Sequence, residues 1–221
     1  MHSCEDIAYN CEMAKKQPPT FQFEQAFWQR RLLRVAGVDE AGRGCWAGPV
    51  TAGAVIFPAD QAINEPLGGI HDSKQLTKKQ RESLIPVIQR HALTWAVGWA
   101  SNVEIDAYGI VPATRLAMRR TIHSLKVSPQ ALVIDAVKLP VIGLPQHSMK
   151  FGDSLSLSIA AASICAKVFR DRWMEQAEER FPGYGFAQHK GYGTKQHRLA
   201  LNRIGACELH RFSFRPLKGI D

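Results

Sequence analysis

The sequence predicts an α/β fold, and three features of it carry that prediction. Residues 32–38 and 50–57 are apolar runs of strand length on either side of a glycine-rich turn, the signature of a hairpin. Residues 91–100 place Leu93, Trp95, Val97 and Trp99 at alternate positions, as a strand with one buried face does. Residues 131–135 repeat the opening pattern of a short apolar run that ends on an acid, and helical stretches separate these strands.

Residues 1–31 mix Glu, Lys, Gln and Pro with Phe21, Phe23, Phe27 and Trp28. They read as an extension outside the domain, ending in a short helix that packs its aromatics on it. The domain proper is assigned to 32–221, with a core over 32–181 and a small C-terminal helical subdomain over 182–221, hinged to the core.

The first strand ends on two adjacent acids, Asp39 and Glu40, followed by Gly42-Arg43-Gly44. Glycine lets the chain bend there and brings bare backbone amides close to a ligand, and Arg43 adds a fork of donors suited to phosphate. Taken alone, the same residues also describe an acidic hairpin tip with a solvated arginine. Residues 58–73 are loop, rich in Pro, Gly, Asn and Asp, and Thr77 is placed to cap a helix running to residue 90. After the alternating strand, Ser101 to Glu104 has the form of a capping box. The helical region it opens runs to 125 in two pieces, punctuated by Gly109 and Pro112. Arg115, Arg119 and Arg120 read as a solvated face.

The strand 131–135 carries Asp135 at its carboxyl end. Prolines 140 and 145 bracket a loop before an edge strand near 147–151. Gly152-Asp153-Ser154 then opens a long helix, 155–180, whose first half is dense in Ala and Ser and so can lie close against a sheet. Asp153 is expected at its N-terminus, where the helix dipole favours an anion. A Gly- and Tyr-rich stretch to Thr194, a helix over 195–204 and a basic tail over 210–215 complete the chain.

Of 221 residues, 28 are Lys or Arg and 20 are Asp or Glu, a net charge of +8 that favours a polyanionic partner over an acidic one. Five cysteines, an odd number without a Cys-x-x-Cys pair, signal neither a disulfide framework nor a zinc knuckle. No run approaches the length of a membrane span and the first 30 residues are unlike a secretory leader, so the expected place is the cytoplasm and no membrane partner is expected.

Asp39, Glu40, Asp135 and Asp153 thus stand at the ends of predicted core elements. Carboxylates gathered at one sheet edge raise one another's pKa unless cations intervene, and hard divalent ions with oxygen ligands are the usual remedy. Two such ions can activate a water and hold the leaving oxygen of an in-line phosphoryl displacement. The pattern points to phosphodiester hydrolysis. The competing reading has each acid capping a helix or pairing with a basic side chain.

Asp39-Glu40-Ala41-Gly42-Arg43-Gly44 with Ala47-Gly48-Pro49-Val50, Asp72-Ser73-Lys74, Gly152-Asp153 leading into Ser158 to Ile164 and Ala166-Lys167-Val168, and His189 to Thr194 together resemble ribonuclease HII from about residue 32 onward. The resemblance implies an RNase H-like mixed β-sheet flanked by helices. It implies that Asp39, Glu40, Asp135 and Asp153 are the catalytic acids and the ligands of two ions, Mg2+ or Mn2+. It also implies that Gly42, Arg43 and Gly44 sense the ribose 2′-hydroxyl through backbone groups, and that Tyr192 stacks on the sugar next to the cut. The implied reaction hydrolyses the bond 5′ of a ribonucleotide in RNA/DNA hybrids and in DNA duplexes with embedded ribonucleotides, leaving 3′-hydroxyl and 5′-phosphate ends. The implied enzyme is a monomer.

Lys74 and Lys167, inside matched motifs, are expected to hold phosphates, with Arg170 and Lys190 as further candidates. His189 and His197 are expected to be structural, since two metals make an imidazole base unnecessary. The sequence departs from the family at Phe151, where a basic residue is usual, and at Gly109, where many members carry Asn. Cys45 and Trp46 take no role. The rival readings are an RNase H-like DNA nuclease or integrase, indifferent to the 2′-hydroxyl, and a nucleic-acid-binding module whose acids are only structural.

Overall fold

The structure is a computed structural model that describes residues 18–217. Helix α1 (Gln22–Trp28) precedes a hairpin of β1 (Val35–Ala41) and β2 (Val50–Ile56). Helix α2 (Lys78–His91), β3 (Thr94–Ala100), the broken pair α3 (Asn102–Tyr108) and α4 (Ile110–His123), and β4 (Ala131–Asp135) follow. The chain continues through β5 (Gln146–Met149), a short 3-10 turn at Gly152–Ser154, α5 (Leu157–Arg180), α6 (Phe186–His189) and α7 (Lys195–Ile204). The strands form one mixed sheet in the order β3-β2-β1-β4-β5, antiparallel on the β1–β2–β3 side and parallel where β4 joins β1 and β5.

This order explains the sequence pattern strand by strand. The apolar residues of β1, β2 and β4 are buried, apart from the partly covered Ala41 at the end of β1, because helices cover both faces of the sheet's centre. Strand β3 lies at the edge and buries alternate residues, but the buried face is the opposite of the one its large side chains predict. Thr94, Ala96, Gly98 and Ala100 are covered, Trp95 and Val97 only partly so, and Leu93 and Trp99 are exposed, because α4 packs closely on the small-residue face at Gly98. Joining β3 to β4, which runs parallel to β1, takes a long crossover, supplied by α3 and α4. The expected capping box forms at Ser101 with Glu104, and the expected cap at Thr77 forms as a full capping box with Gln80. Gly109, at φ +82°, turns the chain between α3 and α4. Pro112 does not break the chain further, because it falls in the first turn of α4, where its missing amide has no helical partner to lose.

Helix α5 lies directly on β1 and β2. A Cβ at Gly37 would collide with the backbone of Ser158, and one at Gly53 with that of Ala162. Glycine on the strand and small residues on the helix are thus two halves of one contact. On the opposite face α4 approaches Gly98 through Ala117 and Thr121. The helix begins two residues later than its composition suggests, with Ser156 as its cap accepting from the Ile159 amide at 3.2 Å.

The segment before β1 is fastened to this start. Phe21 is buried against Phe57 and Trp28. Glu24 is fully buried, its Oε1 accepting from the Ser156 hydroxyl at 2.7 Å and the Ser158 amide at 3.1 Å. At the other end, Ala47, Met174, Ala177, Tyr184, Phe186 and Ala200 share one apolar cluster, so α6 and α7 pack on the second half of α5 and on the loop between β1 and β2.

Candidate active site

Strand β1 delivers Asp39 and Glu40 to the sheet's carboxyl edge, and β4, running parallel beside it, delivers Asp135 to the same edge. Asp39 is buried, and its Oδ1 accepts from the Glu40 amide at 2.7 Å. Asp135 Oδ1 accepts from the Gly152 amide at 2.8 Å, which fixes the 3-10 turn that carries Asp153 against the end of β4. Gly152 is required there: a Cβ would press on Ile159 and come within 3.3 Å of Asp135 Oδ1. All four acids predicted from the sequence are therefore brought to one place.

Their electrostatics record the crowding. Burial first, then the charges of Glu40 and Asp135, push the Asp39 carboxyl well above the usual carboxylate range, against the pull of the Ser163 hydroxyl. Burial raises Glu40 as well, opposed by Arg43, whose Nη1 lies 3.1 Å from Glu40 Oε1. Asp153 is raised by burial, opposed by Lys74. Lys74 Nζ lies 3.1 Å from Asp153 Oδ2. Burial works against its charge, but Asp153 prevails and lifts the ammonium to about 12. Glu40 Oε2 is buried with no hydrogen-bond partner. Among the described residues no three His, Cys, Asp or Glu side chains are already drawn together as a metal cage; Lys74 and Arg43 supply the compensating charge.

The Asp72-Ser73-Lys74 stretch is built to aim that lysine. Asp72 Oδ1 accepts from the Lys74 amide at 2.9 Å, and the buried Ser73 hydroxyl pairs with that of Ser163 on α5 at 2.9 Å. Ser163 thus touches both the lysine's turn and the environment of Asp39. Sequence reasoning gave it no role; its only signal is a hydroxyl within a run of alanines.

The substrate-facing residues divide. Gly42 takes φ +90° and starts a turn in which Gly44 is exposed. The ring of Tyr192 is 41% exposed, with Lys167 Nζ at 5.7 Å and the Arg170 guanidinium at 6.0 Å from its centroid. Lys167 is itself held by Asp171 at 2.6 Å.

Three expectations are corrected. Arg170 is fully buried and donates to the carbonyls of Pro49, Ala47 and Lys190, so it holds no phosphate. Lys190 is buried and bound to Glu175 at 2.7 Å, with the same consequence. Asp153 is not at the N-terminus of the long helix, because Ser156 is the cap; it sits one turn earlier, where Lys74 rather than the helix dipole meets it. His189 and His197 are buried, with ring centroids 4.4 Å apart, and burial lowers the affinity of both for a proton.

Known proteins resemble this chain in sequence and in fold. A family profile described as Ribonuclease HII matches residues 36–216. A ribonuclease HII of Chloroflexus aurantiacus is 53% identical over 200 residues, covering 90% of this chain and 94% of that protein. The crystal structure of ribonuclease H2 from Pyrococcus horikoshii superposes with a TM-score of 0.71 at 26% identity, covering 85% of this chain and 96% of that one. The ribonuclease HII in a PCNA complex from Archaeoglobus fulgidus gives 0.70 at 27% identity, over 83% and 96%. With a profile spanning the sheet, the acidic edge and the C-terminal helices, and a relative this similar over nearly its whole length, the chain belongs to the ribonuclease HII family.

Proposed function

We propose that the chain is a metal-dependent endoribonuclease. It hydrolyses the phosphodiester 5′ of a ribonucleotide in RNA/DNA hybrids and in DNA duplexes with embedded ribonucleotides, leaving 3′-hydroxyl and 5′-phosphate ends, and it works as a monomer. The observation that carries the reading is the cluster at the sheet edge, where Asp39 is pushed up by burial, Glu40 and Asp135, and Glu40 keeps an unpartnered buried oxygen.

The donor set fits hard divalent cations: every candidate ligand is a carboxylate oxygen, and an orphaned buried acceptor beside mutually repelling acids is satisfied by positive charge. Asp39, Glu40, Asp135 and Asp153 would hold two ions, Mg2+ or Mn2+. Bound there, such ions supply the charge that activates a water and steadies a leaving oxygen. The chain's own groups do the rest. Lys74, protonated at any working pH, offers a cation beside Asp153. Arg43 restrains Glu40 through one oxygen. The exposed turn at Gly44 presents backbone to the ribose, whose 2′-hydroxyl distinguishes RNA from DNA at a single position, and the Tyr192 ring offers a sequence-tolerant stacking face.

The test is a duplex with one embedded ribonucleotide against its all-DNA twin, with magnesium or manganese and then with chelator. Cleavage only of the first, 5′ of the ribonucleotide and abolished by chelation, is expected. Equal cleavage of both duplexes would replace this reading with that of a DNA nuclease. Full activity in chelator would remove the metal from it.

A further inference from the structure

The shape of the turn that begins at Gly42 is set from outside it. Arg211, in the C-terminal tail, is fully buried and donates through all three of its nitrogens to carbonyls of the β1–β2 connection. Nη2 reaches Gly42 O at 2.8 Å, Nη1 reaches Arg43 O at 2.9 Å and Nε reaches Gly48 O at 3.0 Å. Among the described residues no carboxylate lies within ion-pair distance of it. Burial pulls its pKa down to about 10, so it stays charged at neutral pH while solvated by peptide carbonyls alone. A buried guanidinium without a counter-ion is a costly way to fill space.

What it fixes follows from the planarity of the peptide group. In a trans peptide the carbonyl and the next residue's N–H point in opposite directions. Drawing the carbonyls of Gly42 and Arg43 inward onto Arg211 therefore turns the amides of Arg43 and Gly44 the other way. Neither amide donates to any group among the described residues, and Gly44 is exposed.

The tail is itself anchored. The Arg211 amide donates to Trp46 O at 2.8 Å and Gly48 N to Leu209 O at 2.9 Å. Asn102 Nδ2 donates to Glu208 O at 2.7 Å, and Asp106 accepts from the amides of Phe212 and Ser213 at 2.9 Å. Helix α3 thus grips the tail on both sides of the arginine.

We propose that Arg211 is a positioning residue for substrate discrimination: by holding the Gly42 and Arg43 carbonyls it aims the Arg43 and Gly44 amides, as a preorganised donor pair, at the 2′-hydroxyl oxygen of the ribose. The proposal rests on the reading that this turn senses that hydroxyl.

The test compares the wild type with Arg211→Lys, which keeps the stem and charge but loses the fork. Two quantities are measured in magnesium: kcat/KM on the embedded-ribonucleotide duplex, and the ratio of the Ki of the all-DNA twin, as competitor, to the KM of that duplex. A displaced reading group costs about 100-fold in kcat/KM, and the Ki/KM ratio is expected to fall toward one in a variant whose thermal midpoint shows it folded at the assay temperature. A purely structural arginine would lower the midpoint and leave the ratio where it is. Arg211→Ala, assayed cold with and without added guanidinium ion, gives an independent reading: partial recovery of activity and ratio with guanidinium, but not with equal sodium chloride, is expected. A folded Arg211→Lys with the wild-type ratio, or a folded Arg211→Ala with wild-type discrimination, overturns the proposal. A wild type that binds both duplexes alike overturns instead the reading on which it rests.

Discussion

Replacing Gly37 by alanine tests how tightly the site depends on the contact between α5 and the sheet. The new Cβ would lie 2.5 Å from Ile159 N and closer still to the Ser158 carbonyl group, where ordinary contact begins near 3.4 Å. The obstacle is helix backbone, which has no rotamer to yield, so the start of α5 must retreat by about 1.3 Å, the shortfall at the closest atom, the Ser158 carbonyl carbon at 2.1 Å. Overpacking of this kind costs about 3 kcal/mol, which lowers the thermal midpoint of a chain this long by about 6–12 °C. The same retreat carries Ser163 away from Asp39 and strains the turn that holds Asp153. A misplacement of about 1 Å is already worth about 100-fold in rate. Thermal melts and cleavage of the embedded-ribonucleotide duplex measure both, with Gly143→Ala as the control, because a Cβ there meets nothing within 4 Å and should stay within about 0.5 kcal/mol of wild type. A Gly37→Ala protein that melts with the control and cleaves like the wild type would refute the reasoning.

Asp39→Asn should abolish turnover yet stabilise the metal-free protein. The folded Asp39 carboxyl holds its proton more tightly than the unfolded chain does. Its ionisation therefore costs nothing below about pH 4 and progressively more as pH rises toward the elevated folded value, by at most about 1.4 kcal/mol per pH unit. The stability gap between variant and wild type should widen with pH over that window and close when magnesium is added; melts that show a gap independent of pH would contradict it. His197 is pulled down to about 4 by burial, so its ring should stay neutral in NMR titrations through pH 5, and a midpoint near 6.5 would be the contrary result. Tyr192→Ala should lose preference for the ribonucleotide duplex over its all-DNA twin in competition assays, while an unaltered preference would remove the stacking face from the account.

Strands and caps were legible because they depend on neighbours along the chain. The hairpin around Gly42, the N-cap at Thr77 and the capping box at Ser101 are patterns within a dozen residues, and they form where those patterns lie. The alternation in β3, by contrast, marks the strand but not its buried face, which is chosen by α4 packing on Gly98. The four acids were legible for a related reason: each ends an apolar strand or opens a turn. The charges that tertiary contact recruits were not legible. Nothing local separates Arg170, buried under the β1–β2 connection, from Lys74, which reaches Asp153 from an otherwise solvated side chain, and both lie in basic, polar surroundings in sequence. Glu24, Ser163 and Arg211 escaped for the same reason, since their partners are 132, 90 and 169 residues away. The one-turn helix Phe186–His189 is too short to show a period.

The carboxylate of Glu24 has a practical consequence for how far the chain can be shortened. A fragment starting at Val35, close to where the family profile begins at residue 36, would keep every acid at the sheet edge. It would also strip the lid from Phe57 and take away the acceptor that the Ser156 hydroxyl and Ser158 amide now share. The helix that backs the acidic edge would then begin with two loose donors. The indispensable part of the polypeptide therefore starts at least as early as Thr20, whose amide donates to Leu155 O at 3.1 Å, and trimming to the recognisable homology would cut into the foundation rather than the margin.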